Sequence, residues 1–309
     1  MTYVIAEIGN NHEGSMERAR GLVDAAADAG ADAVKFQIYR PEMVVSEDAP
    51  ALVGEGTQRD RLRAIALPMV DYVALCHQAH ERGLEVVCTF LDEELIREHY
   101  RMVDRLKIAS GDVTHLSLIA AANETGLSVL ISVGLSRCQE IDAAVHRVTS
   151  GRCTVLHCVS EYPCPAEWAS LDRMSELRAR YYRVGYSDHC CGIEACVAAA
   201  ALGAEVIEKH FTDARRDHGD HVHSATPGEL RELVSRIRHI ESMREVCYMP
   251  SAEQRKRMMR GAYATRDIEK GETIGEDDLI ALRPCTGRTP WALRGTRAQK
   301  DYRKGEPIR

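Results

Sequence analysis

No run in these 309 residues approaches the ~18 consecutive apolar side chains that a membrane-crossing helix needs. The opening residues, MTYVIAEIGNNH, lack the basic n-region of a secretory signal. Together these absences set the expectation of a cytoplasmic protein with no membrane partner. Missing too is any C-x-x-C pair among the 11 cysteines. An odd number of thiols, scattered at irregular spacing through apolar segments, predicts free cysteines in a reducing compartment and argues against structural zinc. No G-x-G-x-x-G follows the first apolar run, which counts against a doubly wound dinucleotide fold.

What is present is an ordinary globular composition, 45% hydrophobic and 28% charged, with a net charge of −7. The charge is uneven. From Pro250 to Arg309 there are 14 Lys and Arg against 9 Asp and Glu, a balance of +5. Acids are interleaved with those bases and aromatics are few, so the tail is read as meeting an acidic domain or an anion, not nucleic acid.

From Tyr3 the chain alternates short apolar runs with amphipathic segments. The runs are VIAEI (4–8), AVKFQIY (33–39), EVVCTF (85–90), RLKIAS (105–110), SVLISV (128–133), TVLHCV (154–159), VGYS (184–187) and EVIEKHF (205–211). The segments between them repeat their apolar residues at helical spacing, and several end in a C-capping glycine: Gly30, Gly83, Gly126 and Gly203. Eight such units in about 240 residues predict a (β/α)8 barrel. Beyond residue 256 the style changes. RDIEKGETI (266–274) is echoed 34 residues later by KDYRKGEPI (300–308), and Lys-Gly-Glu between apolar flanks is turn chemistry. The expected organisation is a barrel over 1–246, a linker over 247–257 and a small β domain over 258–309.

A barrel of this kind does its chemistry where strands end. Those ends carry Glu7, Lys35, Gln37, Thr89, Lys107, Ser110, Asp112, Ser132, Ser160, Ser187, Asp188, His189, Glu208 and His210. Lys35, Lys107 and Glu208 lie inside apolar runs, where an unpaired charge costs several kcal/mol. They point to a charged ligand or an internal ion network. Two inward lysines ringed by hydroxyls suit a small phosphorylated or carboxylated anion. His189 and His210 close two adjacent runs, and neighbouring strand ends lie only ~5 Å apart, so the pair suits a divalent metal.

The stretches AEIGNNHEGS (6–15), DAVKFQ (32–37), KIASGD (107–112), LHCVSEYPCP (156–165), GYSDH (185–189), EKHFT (208–212) and LRPCTG (282–287) resemble the sialic acid synthase family. Those enzymes condense phosphoenolpyruvate with an N-acetylated hexosamine to give nonulosonic acids. The tail resembles the family's antifreeze-like SAF domain, a β-clip. The resemblance implies that His189 and His210 hold a divalent metal, with Mn²⁺ placed first and Mg²⁺ or Co²⁺ as alternatives. It implies a phosphoenolpyruvate site made by Lys35, Thr89, Lys107, Ser110, Ser132 and Ser187, with Ser160 beside it. Glu7 becomes the carboxylate near the reacting carbons and Asp220 a sugar contact. Arg283 becomes the arginine that a domain-exchanged homodimer inserts into its partner's barrel. The acceptor is expected to be an amino-sugar aldehyde of the N-acetylmannosamine type; alternatives are a diacetamido sugar, a 6-phosphorylated mannosamine or a specialised-pathway substrate. The segment HGDHVHSATPGEL (218–230) departs from the family pattern, running about one residue short with His218, His221 and His223.

Overall fold

Alternation with a period of two builds the centre of the molecule. In the computed structural model, which describes residues 1–51, 56–149, 151–245 and 247–309, eight parallel strands close into a barrel. They are β1 (Tyr3–Glu7), β2 (Ala33–Ile38), β3 (Glu85–Phe90), β4 (Arg105–Ile108), β5 (Ser128–Ser132), β6 (Cys153–His157), β7 (Val184–Asp188) and β8 (Val206–His210). They pair in chain order, and β8 returns to β1 with Glu7 opposite His210. The expected barrel is the observed one. Its strands differ from the apolar runs mainly at their ends: β4 stops at Ile108 because Ser110–Asp112 coils into a 3-10 turn.

Helices cover the outside. The first, Met16–Ala29, starts where the Ser15 hydroxyl accepts from the Arg18 amide and ends at Gly30, whose φ of +84° favours glycine. Gly83, Gly126 and Gly203 also have positive φ, as helix ends of this type require. Outward strand residues such as Val4, Phe36 and Ile207 pack against the helix faces in one continuous core. The inward residues make a second, smaller one. Ile5, Ala33, Val87, Leu130, Leu156 and Val206 form a single apolar layer inside the barrel, with Tyr3 against it. In β7 the same level is held by Gly185, paired with Leu156. A Cβ there would lie 2.6 Å from Leu156 Cδ2 and 2.6 Å from the Val206 carbonyl, so only glycine fits.

The chain forms two compact units, Met1–Glu245 and Val246–Arg309. Val246, the expected last residue of the barrel, lies outside the described residues. A short helix, Ala252–Met258, capped by the Ser251 hydroxyl, occupies the second half of the expected linker and runs one residue past it. Beyond it β9 (Gly261–Ala264) and β10 (Leu279–Leu282) pair antiparallel over a core of residues that include Ile268, Ile274, Tyr302 and Ile308. The two echoed segments are bound to each other reciprocally. Ile268 and Tyr302 exchange backbone hydrogen bonds of 2.8 and 2.9 Å. The Lys270 amide donates to Asp301 at 2.7 Å and the Lys304 amide to Asp267 at 2.8 Å. The repeat of 34 residues is therefore a structural one, in which each Asp fixes the other's turn. No helix among the described residues is long and apolar enough to cross a membrane.

Candidate active site

Two residues beyond the apolar layer, the same inward face turns polar. β1 gives Glu7, β2 Lys35, β3 Thr89, β5 Ser132, β7 Ser187 and β8 Glu208, while β4 adds Lys107. With Gln37, Ser110, Cys158, Tyr162, His189 and His210 these residues line a cavity of about 210 Å³. The period of strand side chains thus stacks a charged ring directly on an apolar floor.

The charges in the ring interlock. Lys35 Nζ lies 2.9 Å from Glu7 Oε1 and 3.9 Å from Glu208 Oε1, and Lys107 Nζ lies 3.8 Å from that same Glu208 oxygen. Gln37 donates to Glu7 at 2.7 Å, and Ser187 donates to Glu208 at 2.9 Å. All four charged side chains are at most 5% exposed. Burial pushes the Glu7 carboxyl above its ordinary range, against the pull of Lys35. Burial acts on Glu208 too, but Lys107 and Lys35 outweigh it and hold that carboxyl low. Burial also lowers the Lys107 ammonium, whereas Glu208 and Glu7 raise Lys35 despite it. The second acceptor oxygen on each glutamate, and the Ser132 hydroxyl, have no hydrogen-bond partner among the described residues. A buried ring with uncommitted groups and an ammonium eager for a counter-charge can receive an anion.

Beside the ring stand the histidines. The His189 and His210 rings have centroids 5.5 Å apart, and His223, from the segment after β8, lies 4.7 Å from His210 and 6.0 Å from His189. His189 Nδ1 donates to the Val159 carbonyl at 2.6 Å, which leaves its Nε2 lone pair free. Burial lowers His189 and, together with its imidazole neighbours, takes His210 well below 6.5. Neutral imidazoles are the form that ligates metal. His210 Nδ1 has no hydrogen-bond partner among the described residues and lies 3.6 Å from Asp220 Oδ2. These donors fit a divalent ion.

The same two strand ends carry a charge pair on their outer face. Asp188 and Lys209 are register partners, and Lys209 Nζ lies 2.7 Å from Asp188 Oδ2 with both side chains fully buried. The dipeptides Asp188-His189 and Lys209-His210 therefore send a charge outward into a salt bridge and an imidazole inward to the cavity.

Of the residues read from the sequence, Glu7, Lys35, Gln37, Thr89, Lys107, Ser110, Ser132, Ser187, His189 and His210 line this cavity. Ser160 does not; it meets Ser110 Oγ at 2.8 Å, and Cys158, just after β6, joins the lining instead. Asp112 sits in the 3-10 turn after β4 and is not a lining residue; burial raises its carboxyl, against His115 and Lys107. Asp220 lies at the histidines. Arg283 belongs to the second unit, is exposed, and its guanidinium has no hydrogen bond or ion pair among the described residues. Three residues escaped a role in the sequence reading. Glu208 stood out as an inward charge but was not given a place in the site. Tyr162, 4.2 Å from the His189 ring, and His223 come from loops, where no periodicity reveals an inward side chain.

Barrel and rim define a (β/α)8 enzyme whose mouth carries a buried ring of charged and hydroxyl side chains. The NeuB family matches residues 22–246, and the SAF domain matches residues 260–309. The chain is 35% identical to the N,N'-diacetyllegionaminic acid synthase of Legionella pneumophila, covering 93% of this chain and 87% of that one. Among solved structures it resembles the N-acetylneuraminic acid synthetase of Leptospira borgpetersenii in complex with citrate, with TM-score 0.73 and 32% identity over 82% of this chain and 88% of that one. It also resembles a spore coat polysaccharide biosynthesis protein E from Chromobacterium violaceum, with TM-score 0.83 and 26% identity over 100% and 98%. The chain belongs to the NeuB family. It is a synthase whose C-terminal part is a SAF domain, in agreement with the resemblance read from its motifs.

Proposed function

We propose that this enzyme condenses phosphoenolpyruvate with an N-acetylated hexosamine of the N-acetylmannosamine type, giving a nonulosonic acid and inorganic phosphate. One observation carries the reading: two buried lysines among hydroxyls close a polar ring beside a cluster of neutral imidazoles, in a member of the NeuB family. Phosphoenolpyruvate brings a phosphate and a carboxylate on a three-carbon frame. Lys35 and Lys107, with Thr89, Ser110, Ser132 and Ser187, would hold both anions so that C3 faces the acceptor's aldehyde carbon. Carbon–carbon bond formation there leaves C2 electron-poor. Water adds at C2, the aldehyde oxygen takes up a proton, and phosphate departs with cleavage of its C–O bond. Glu7 is the proton-handling group, because burial has already moved its carboxyl toward the working pH range.

His189 and His210 would hold the divalent ion, Mn²⁺ before Mg²⁺ or Co²⁺. When bound, the ion supplies Lewis-acid polarisation of the aldehyde oxygen. Asp220, beside His210, is the contact for a sugar hydroxyl. Arg283 would act in trans, in the barrel mouth of a second protomer of a domain-exchanged homodimer, and its unpartnered, exposed guanidinium supports that role.

The identity to the Legionella enzyme favours a second acceptor, a diacetamido sugar. One assay tests both: inorganic phosphate released from phosphoenolpyruvate in the presence of N-acetylmannosamine, its 6-phosphate or diacetamido hexoses, with and without added metal. Release with one acceptor above the others identifies it. No release with any acceptor by metal-replete enzyme would refute the reading.

A further inference from the structure

His223 is 1% exposed, yet neither of its ring nitrogens has a hydrogen-bond partner among the described residues. A neutral imidazole carries one N–H donor and one lone pair, and a buried polar atom left unpaired costs about 1–3 kcal/mol. The segment that brings it inward is firmly tied. The Ala225 amide donates to the His210 carbonyl at 2.7 Å, and the Thr212 amide donates to the Ala225 carbonyl at 3.0 Å. Asn11 donates to Ser224 Oγ at 2.8 Å, and that hydroxyl donates to the Asp220 carbonyl at 2.6 Å. His223 is thus held beside His210 with its nitrogens uncommitted, which is the condition of a ligand awaiting its ion.

Geometry agrees. One donor atom each from His210, Asp220 and His223 lie within 4.8 Å of one another. With metal–nitrogen distances near 2.0–2.1 Å, two imidazoles on one tetrahedral ion have ring centres about 5 Å apart. The His210–His223 separation of 4.7 Å and the His189–His210 separation of 5.5 Å bracket that value, and the third pair, His189–His223, is wider at 6.0 Å.

We propose that His223 is a further ligand of the metal held at the strand-end histidines, making a nitrogen-rich donor set beside Asp220. This inference rests on the metal reading given above and adds to it a consequence for metal choice. Carboxylate and water suit Mg²⁺ and Mn²⁺, whereas each added imidazole favours borderline ions such as Co²⁺ and Zn²⁺. The other imidazole–carboxylate cluster, Glu13 with His218 and His221, takes no such role. Arg18 already pairs with Glu13, and Arg216 Nη1 lies 3.2 Å from His221 Nδ1, so a cation there would face two guanidiniums.

The test is direct metal binding. Metal-stripped protein is titrated calorimetrically with Mn²⁺, Co²⁺ and Zn²⁺, and the visible spectrum of the Co²⁺ complex is recorded, for wild type, His210→Ala, His223→Ala and the volume-keeping His223→Phe. The expected result is at least tenfold weaker Co²⁺ and Zn²⁺ binding in both His223 variants, a smaller loss for Mn²⁺, and a changed Co²⁺ spectrum. Unchanged affinities and spectrum in a folded His223 variant would overturn the proposal while leaving the two-histidine site standing. Wild type that binds no ion, or His210→Ala that binds as tightly as wild type, would overturn the underlying site as well.

Discussion

Asp188 and Lys209 form an ion pair of 2.7 Å with no solvent exposure on either side chain, one residue before each of the two strand-end histidines. Tyr186 donates to Asp188 at 2.9 Å and the Cys190 amide at 3.1 Å, so the carboxylate is satisfied from several directions. The pair clamps β7 to β8 behind the imidazoles. Removing one partner strands the other charge, and Lys209→Met is expected to cost roughly 3–5 kcal/mol in chemical denaturation. The double variant Lys209→Met/Asp188→Leu should recover much of that loss. A single variant as stable as wild type would show that the clamp carries no weight.

The pair also sets a pH window. Asp188 is held below its ordinary 3.8 because Lys209 and its hydrogen bonds outweigh burial, and Asp188 keeps Lys209 above 10.5. The carboxylate's contribution is complete above 3.8 and is lost as pH falls through the lower folded value. The ammonium's contribution is complete below 10.5 and is lost as pH rises through the higher one. Denaturation midpoints of wild type should decline outside those limits more steeply than those of the double variant. Parallel curves would contradict this.

Lys107 shares one oxygen of Glu208 with Lys35. Lys107→Met removes a charge-assisted contact worth about 1.5–3 kcal/mol, equivalent to roughly a 10–100-fold rise in KM for phosphoenolpyruvate. The acceptor KM should move far less. Steady-state kinetics with each substrate varied in turn makes the comparison, and an equal rise for both would remove Lys107 from the anion site.

For Arg283→Ala the pattern should invert. Acceptor use is expected to fall far more than phosphoenolpyruvate binding, read as the acceptor's kcat/KM against a phosphoenolpyruvate titration. Equal losses would argue against an arginine delivered to the sugar side.

Gly185→Ala probes the floor. Its new methyl group would collide with Leu156 and the Val206 backbone, and overpacking of this kind typically costs about 1–3 kcal/mol. A thermal midpoint matching wild type would mean that the layer can give way without strain.

The barrel was legible because its signal is periodic and redundant: eight apolar runs, helical spacing between them and glycine at the helix ends. Lys35, Lys107 and Glu208 were legible as inward residues because a charge inside an apolar strand violates the ordinary pattern, and the structure resolves that violation as a network. The lining residue next to β6 was missed because the extended run is shorter than expected. The strand ends at His157, Cys158 just beyond it lines the cavity, and Ser160, two residues further on, meets Ser110 instead. His223 was beyond reach for a different reason. Polar residues are normal in loops, and its burial arises from backbone and side-chain hydrogen bonds that fold residues 221–225 against the end of β8, a long-range fact absent from local sequence.

The apolar layer of Ile5, Ala33, Val87, Leu130, Leu156 and Val206 closes the cavity beneath the charged ring, like the end of a cul-de-sac. Under the proposed condensation, whatever binds deepest should arrive first and leave last, so turnover should obey a strict queue. Product-inhibition patterns, with phosphate competing only against the substrate that enters ahead of the sugar, are the kinetic trace such a dead end would leave.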